Sequence, residues 1–279
     1  MKKPIILILF LAFSRLTFSQ SSEVGIMIGV SSYKGDLNGS LFNPNVFHLA
    51  LGGLFRHSYN NHWSLRLGIN YGTISADDAE SNDPFQLYRN LSFSSSLLEA
   101  EGRFEFNFLP FQTANRLTPR SPFVFAGLAV FRFNPTTLLN GNEYELQPLG
   151  TEGQGTVAYP DRNNYHRVNM ALVYGGGYKL RLNDRFGLII EVGARKAYSD
   201  YLDDVSTTYP KKNVLLAANG PTAVLLSDRT VDQLNDNNND RQRGDAAHKD
   251  LYLFAGVSLN WTLSKRYNDA CKPFKRKMH

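Results

Sequence analysis

The sequence predicts an all-β fold, an eight-stranded antiparallel transmembrane (outer-membrane) β-barrel with long extracellular loops. Three observations predict it. Segment after segment alternates apolar and polar residues with period two, the mark of a strand with two unlike faces. The links between these segments are alternately short and long. An export signal precedes them, and the chain is rich in aromatic residues, 13%, which suits a barrel with interfacial girdles.

Residues 1–20 read as a signal peptide. Lys2 and Lys3 form a basic start, an apolar run follows to Phe13, and Thr17, Phe18, Ser19 and Gln20 form a cleavage region. The apolar run is interrupted at Arg15 and is shorter than the roughly 20 residues a helical span needs. A single helical anchor is the rival reading of this segment. The cleavage region holds no cysteine for lipoprotein anchoring, and the one cysteine of the chain is Cys271. Stability in an oxidising compartment therefore has to come from strand closure and packing, not from disulfides. Residues 21–263 then form the barrel, and 264–279 a basic periplasmic tail.

Five segments show the alternation clearly. Trp63, Leu65, Leu67, Ile69 and Tyr71 oppose Ser64, Arg66, Gly68 and Asn70. Leu98, Ala100, Gly102, Phe104, Phe106 and Phe108 oppose Glu99, Glu101, Arg103, Glu105 and Asn107. Val168, Met170, Leu172, Tyr174, Tyr178 and Leu180 oppose Asn169, Gly175, Gly177, Lys179 and Arg181. Leu188, Ile190 and Val192 oppose Gly187, Glu191, Gly193 and Arg195, and Leu251 to Trp261 alternates with Tyr252 to Thr262. Segments 23–32, 46–57 and 123–133 complete the eight, but both of their faces are apolar or small, so their orientation is left open.

The even links (58–61, 110–120, 183–185) are short or modest. The odd links (33–44, 72–90, 134–166, 199–250) are mostly long and rich in Asp, Asn, Gly and Ser. That sorting is what a barrel with both termini in the periplasm requires. Trp63 and Trp261 fall at the same, short-turn level, with Phe55, Phe106, Phe108, Phe123 and Phe186 expected beside them as an interfacial belt. In the membrane reading Arg66, Glu99, Glu101, Arg103, Glu105, Lys179, Glu191 and Arg195 point inward, pair, and plug a lumen just wide enough for side chains. The rival fold is a soluble lipocalin-like barrel with the apolar face inside. Its function would be to bind a lipid or small molecule.

Signs of catalysis are thin. His166 and His248 flank loops with Ser and Asp, which is all that a rim hydrolase reading has to rest on. No Gly-x-Ser-x-Gly, His-Glu-x-x-His or Cys-x-x-Cys motif occurs. Asp236 to Asp240 spaces oxygens as a calcium loop does, but Arg241 and Ala247 stand where glycine and glutamate are needed. A flexible polar loop is the expected reading there. Asp200, Asp203 and Asp204 form an acidic knot, open between a bound cation and a surface contact. Gly150 to Gly155 lacks the strand-to-helix setting of a phosphate loop and reads as tight turns. No enzyme activity, metal or cofactor is expected. The formal charge of +5 points to anionic lipid heads or an acidic protein surface rather than nucleic acid, which an exported protein does not meet.

The tail carries Lys265, Arg266, Cys271, Lys272, Phe274, Lys275, Arg276 and Lys277. It reads either as a solvated end or as a docking peptide with Cys271 open to an intermolecular disulfide. These residues, with Asp203 and Asp204, are the candidate partner contacts.

Several blocks resemble the PorG-type outer-membrane proteins of the Bacteroidetes type IX secretion system. They are Gly29-x-x-x-Tyr33-x-Gly35-Asp36-Leu37-Asn38, Arg89-Asn90-Leu91-Ser92-Phe93, Glu105-Phe106-Asn107-Phe108, Leu149 to Gly155, Tyr198 to Ser206, Arg243-Gly244-Asp245, and Cys271 with Phe274. The resemblance implies a non-enzymatic barrel beside the periplasmic ring of the secretion machine, serving protein transport and, in gliding species, gliding motility. It carries no established functional residues with it.

Overall fold

The computed structural model describes residues 21–114, 118–230 and 238–263. The expected signal peptide (1–20), the tail from Ser264, and Asp236 and Asn237 of the calcium-like stretch lie outside them. Eight antiparallel strands close into a barrel. They are β1 (Ser21–Lys34), β2 (His48–Ser58), β3 (Trp63–Asp77), β4 (Ser92–Asn107), β5 (Arg120–Leu139), β7 (Val168–Arg181), β8 (Phe186–Ala197) and β9 (Leu251–Thr262). Each pairs with its neighbour in sequence, and β1 pairs with β9 to close the ring. The ninth strand, β6 (Asn142–Glu145), is a short hairpin return that takes over beside β5 beyond the end of β7.

The two faces separate as the alternation predicts. Leu67, Ile69, Leu98, Leu172, Ile190 and Leu259 are exposed on the outside, while Glu99, Glu101, Arg103, Lys179 and Arg195 are buried within. The three open segments are now oriented. Ile26, Ile28, Leu49 and Leu51 lie outside, and so do Val124, Leu128 and Val130. Glu23, Met27, Arg56, Phe123, Phe125, Phe131 and Phe133 are buried. An apolar exterior around a charged interior excludes the lipocalin-like alternative, in which these faces are exchanged.

Phe123 corrects the expected belt. It shares the inward face of β5 with Phe125, where both rings lie against glycines of β7. A Cβ on Gly175 would come 2.6 Å from the Phe125 ring, and one on Gly177 would come 2.9 Å from Phe123. The other aromatics hold the expected level. Phe106 lies 4.9 Å from Trp63 and 5.5 Å from Phe108, and Phe186 lies 6.3 Å from Trp261. Tyr71 is exposed farther up β3. Eight residues separate it from Trp63, about 26 Å of strand, or about 20 Å of barrel height at a tilt near 40°.

Strands and loops depart from expectation at the long-loop end. β3 runs on to Asp77 and β5 to Leu139, well past the alternating cores. The long links are folded rather than loose: the β3–β4 link holds helix α1 (Pro84–Arg89) and the β8–β9 link holds helix α2 (Lys212–Ser227). α1 is capped by Asp83, whose side chain accepts from the Phe85 amide at 2.9 Å. α2 breaks at Gly220, which has φ 84°, just before Pro221. Gly150, Gly153 and Gly155 have φ of 54°, 82° and 75°, which makes them the tight turns expected of them.

Candidate functional site

Two assemblies fill the barrel. Towards the short-turn end, five cations (Arg56, Arg66, Arg103, Lys179, Arg195) meet five carboxylates (Glu23, Glu99, Glu101, Glu105, Glu191), every one buried. Glu23 receives Arg56 at 2.9 Å, and Glu105 receives Arg56 at 3.2 Å, Arg103 at 3.2 Å and Lys179 at 2.6 Å. Glu191 joins Arg66 and Arg103, each at 2.6 Å, while Arg195 joins Glu101 at 2.9 Å and Glu99 at 3.2 Å. The Arg103 guanidinium stacks on Phe125 at 3.7 Å and the Lys179 ammonium on Phe123 at 4.5 Å. Equal numbers of opposite charges make burial tolerable, since each desolvated ion has its counter-ion within contact. Sequence reasoning found eight of the ten. Glu23 and Arg56 escaped it because their flanking residues are apolar on both faces.

The short-turn mouth is covered from below. The β4–β5 link buries Phe111, Gln112 and Thr113. Its Phe111 amide donates to the Asn61 carbonyl at 2.9 Å, and Thr113 packs where Gly187 faces the interior.

Above the ion pairs the filling changes to rings. Tyr252 bridges the two, donating its hydroxyl to Glu99 at 2.7 Å. From Phe254 the rings run Tyr252, Phe131, Phe133, Tyr165 and Tyr201, with centroid separations of 6.0, 5.1, 5.6, 5.9 and 4.9 Å. Leu202, Val205 and Leu226 of the long β8–β9 link join the same apolar cluster. That link closes the upper mouth as a cap.

Polar side chains pin the cap. The buried Glu152 carboxylate accepts from the Ser206 amide at 2.9 Å, the Thr207 hydroxyl at 2.6 Å and Arg243 at 3.0 Å. Arg243 also donates to the carbonyls of Asp204 at 2.6 Å and Ser227 at 3.1 Å. Arg89 forks onto Asp78 at 2.7 and 2.8 Å, then reaches the carbonyls of Asp36 and Arg243.

Asp203 and Asp204 face inward. Asp203 accepts from the Tyr33 hydroxyl and, at 3.0 Å, from the Val205 amide. Asp204 accepts from Thr151 and, at 2.7 Å, from Tyr165. Asp200 accepts from the Ser206 hydroxyl at 2.7 Å. The acidic knot is thus an internal latch, buried rather than a surface patch; among the described residues no group of three or more acidic, His or Cys side chains is arranged to hold a metal. A side chain at Gly35 would run into the Tyr33 hydroxyl and Asp250, which is why glycine stands there.

Crowded burial shifts these carboxyls upward. Desolvation lifts Asp36 to about 6, against the pull of Arg89, and Asp204 to about 6, against Arg243. Asp200 is lifted by burial to about 6. Asp203 and Asp250 are raised well above the carboxylate range by burial, and next by neighbouring acids.

The blocks that carry the family resemblance converge here. Tyr33 at the upper end of β1, Asp36, Arg89, Thr151, Glu152, the 200–206 run and Arg243 come from one strand and the four long links and meet in one network. The other expected sites do not assemble. His166 is exposed, and His248 bonds Asp245 at 2.7 Å on the surface. The tail contacts Lys265, Arg266, Cys271, Lys272, Phe274, Lys275, Arg276 and Lys277 lie outside the described residues.

Solved barrels overlap the chain over nearly their whole length at low identity. Neisserial surface protein A shares 8% identity, with 88% of this chain and 99% of that one covered and a TM-score of 0.42. Ail, the attachment invasion locus protein of Yersinia pestis, shares 11%, with 87% and 99% covered and a TM-score of 0.37. OprG from Pseudomonas aeruginosa shares 8%, with 88% and 95% covered and a TM-score of 0.37. No curated protein matches the sequence. A family model does match it, across residues 2–219, which spans strands β1 to β8 and the first part of the β8–β9 link: the chain belongs to the family described as a domain of unknown function, DUF6089.

Proposed function

We propose that the chain is a non-enzymatic outer-membrane barrel that works through protein contacts, as a component of the type IX secretion machinery. The observation that carries the non-transport part is the filling. Ten buried charges, a column of rings, a plug below and a cap above occupy the interior, and an eight-stranded barrel has no width to spare for a pore. Its work therefore falls to its surfaces. The apolar exterior and the sorting of short and long links support a place in the outer membrane, with both termini in the periplasm. Assignment to the secretion system rests on the sequence resemblance, and the partner face on the basic tail.

Affinity purification from detergent-solubilised membranes tests the reading. Ring lipoproteins and their periplasmic partners should copurify with the full chain and be lost when residues 265–279 are deleted. Recovery of the barrel without any ring subunit contradicts the secretion role. Retention of all partners after the deletion contradicts the docking role of the tail, including a disulfide through Cys271.

A further inference from the structure

Above the apolar belt, the outer wall of β3, β4 and β5 changes character. In cross-strand register, Tyr71 lies beside Leu98 and Arg132. The next outward row is Thr73, Ser96 and Asn134, and the one after it is Ser75, Ser94 and Thr136. Two successive rows on three strands therefore carry only hydroxyl or amide side chains. The upper row floors an outward-facing groove of about 540 Å³, within the range of about 300–1,000 Å³ typical of ligand sites. Asn45 and Val46 of the β1–β2 link wall one side, Leu138 and Glu143 the other, and Asp77 and Glu80 stand at the top.

The geometry points to a binding site for the uncharged sugar headgroup of a membrane glycolipid. Ser75 is held by His48 at 2.6 Å and Thr136 donates to the Ser94 carbonyl at 3.1 Å, so both keep acceptor lone pairs; with the Ser94 hydroxyl, which can donate and accept, and the carboxylates, this lining matches the mixed donors and acceptors of a saccharide. Three carboxylates and no Lys or Arg line the groove, which disfavours a phosphate headgroup. Height argues for the lipid-borne source. Ser75 is four residues beyond Tyr71, about 13 Å of strand or about 10 Å of height at a 40° tilt. A phosphate headgroup layer is about 5–8 Å deep, so a projecting sugar reaches this level on the lipid-facing wall. The site rests on the membrane reading given above.

The test uses the full chain in phosphatidylcholine nanodiscs doped with digalactosyl diacylglycerol or phosphatidylglycerol, with native mass spectrometry counting the lipid retained. Retention of the galactolipid should exceed that of phosphatidylglycerol by about tenfold. Ser94→Phe, which fills the groove from an outward position, should abolish the preference. Ser94→Ala with Thr136→Val, which keeps the shape, should weaken it. Equal retention of the two lipids, or an unchanged preference in both variants, overturns the site. Equally tight binding of free digalactose overturns the lipid source. A chain that never enters the discs contradicts the membrane reading instead.

Discussion

The lower and upper halves of the barrel are filled by opposite chemistries. Below, β1, β2, β3, β4, β7 and β8 contribute a charge-balanced lattice in which Arg103 alone faces Glu101, Glu105 and Glu191. Above, packed rings from β5 and β9 continue without a break into Tyr165 of the β5–β7 link and Tyr201 of the cap. The lower filling is self-contained, and every member comes from a strand. The upper one depends on loops more than fifty residues apart in sequence, such as Glu152 and Arg243. Damage below should therefore weaken the barrel itself, while damage above should loosen the cap and leave the barrel standing.

The largest expected effect is Arg103→Ala. It leaves buried carboxylates without their cation, which costs about 3–5 kcal/mol, measured by urea unfolding of the detergent-folded barrel. Adding Glu191→Gln should recover part of the loss, since the two residues are in contact. A loss below about 1 kcal/mol would mean that the lattice is solvated rather than buried.

Phe133→Ala should cost about 3 kcal/mol through the cavity it leaves, and the loss should appear in the cap. Amide exchange should rise in residues 198–206 and stay unchanged around Arg56 and Ser58. A uniform rise across both halves would show that the two fillings form one cooperative unit. Tyr165→Phe, which removes one hydrogen bond to Asp204, should cost about 1 kcal/mol, read as faster proteolysis of the β8–β9 link.

The halves also differ in their response to pH. Asp36, Asp200 and Asp204 are raised from 3.8 to about 6 in the closed cap. The closed state then binds more protons than the open one between roughly pH 4 and 6, so its stability falls as pH rises through that window. Protection of the cap amides, relative to their intrinsic exchange rate at each pH, should be greater at pH 4.5 than at 7.5. Weaker protection at the lower pH would contradict the latch.

How much the sequence disclosed follows the same division. Strand alternation reports directly on the two-faced wall, so strand number, closure and most of the ion lattice could be read from it. β5 misled because a run such as Phe123, Val124 and Phe125 is apolar on both sides, and only the glycines of the neighbouring β7 show where the rings fit. The cap has no period at all. Its Asp, Asn and Ser look like solvated loop residues, and their burial depends on partners such as Tyr33 and Arg243 that lie far away in sequence. The resemblance blocks marked those residues without saying that they meet.

The central claim is that the apolar wall faces lipid around a sealed, charged interior. A spin-label scan along β8, in a Cys271→Ser background, tests it most directly. Labels at Leu188, Ile190 and Val192 should be relaxed by membrane-dissolved oxygen, and labels at Gly187, Ile189 and Gly193 by neither oxygen nor a water-soluble nickel chelate. Nickel access at Leu188, Ile190 and Val192 would place that wall in water and contradict the account.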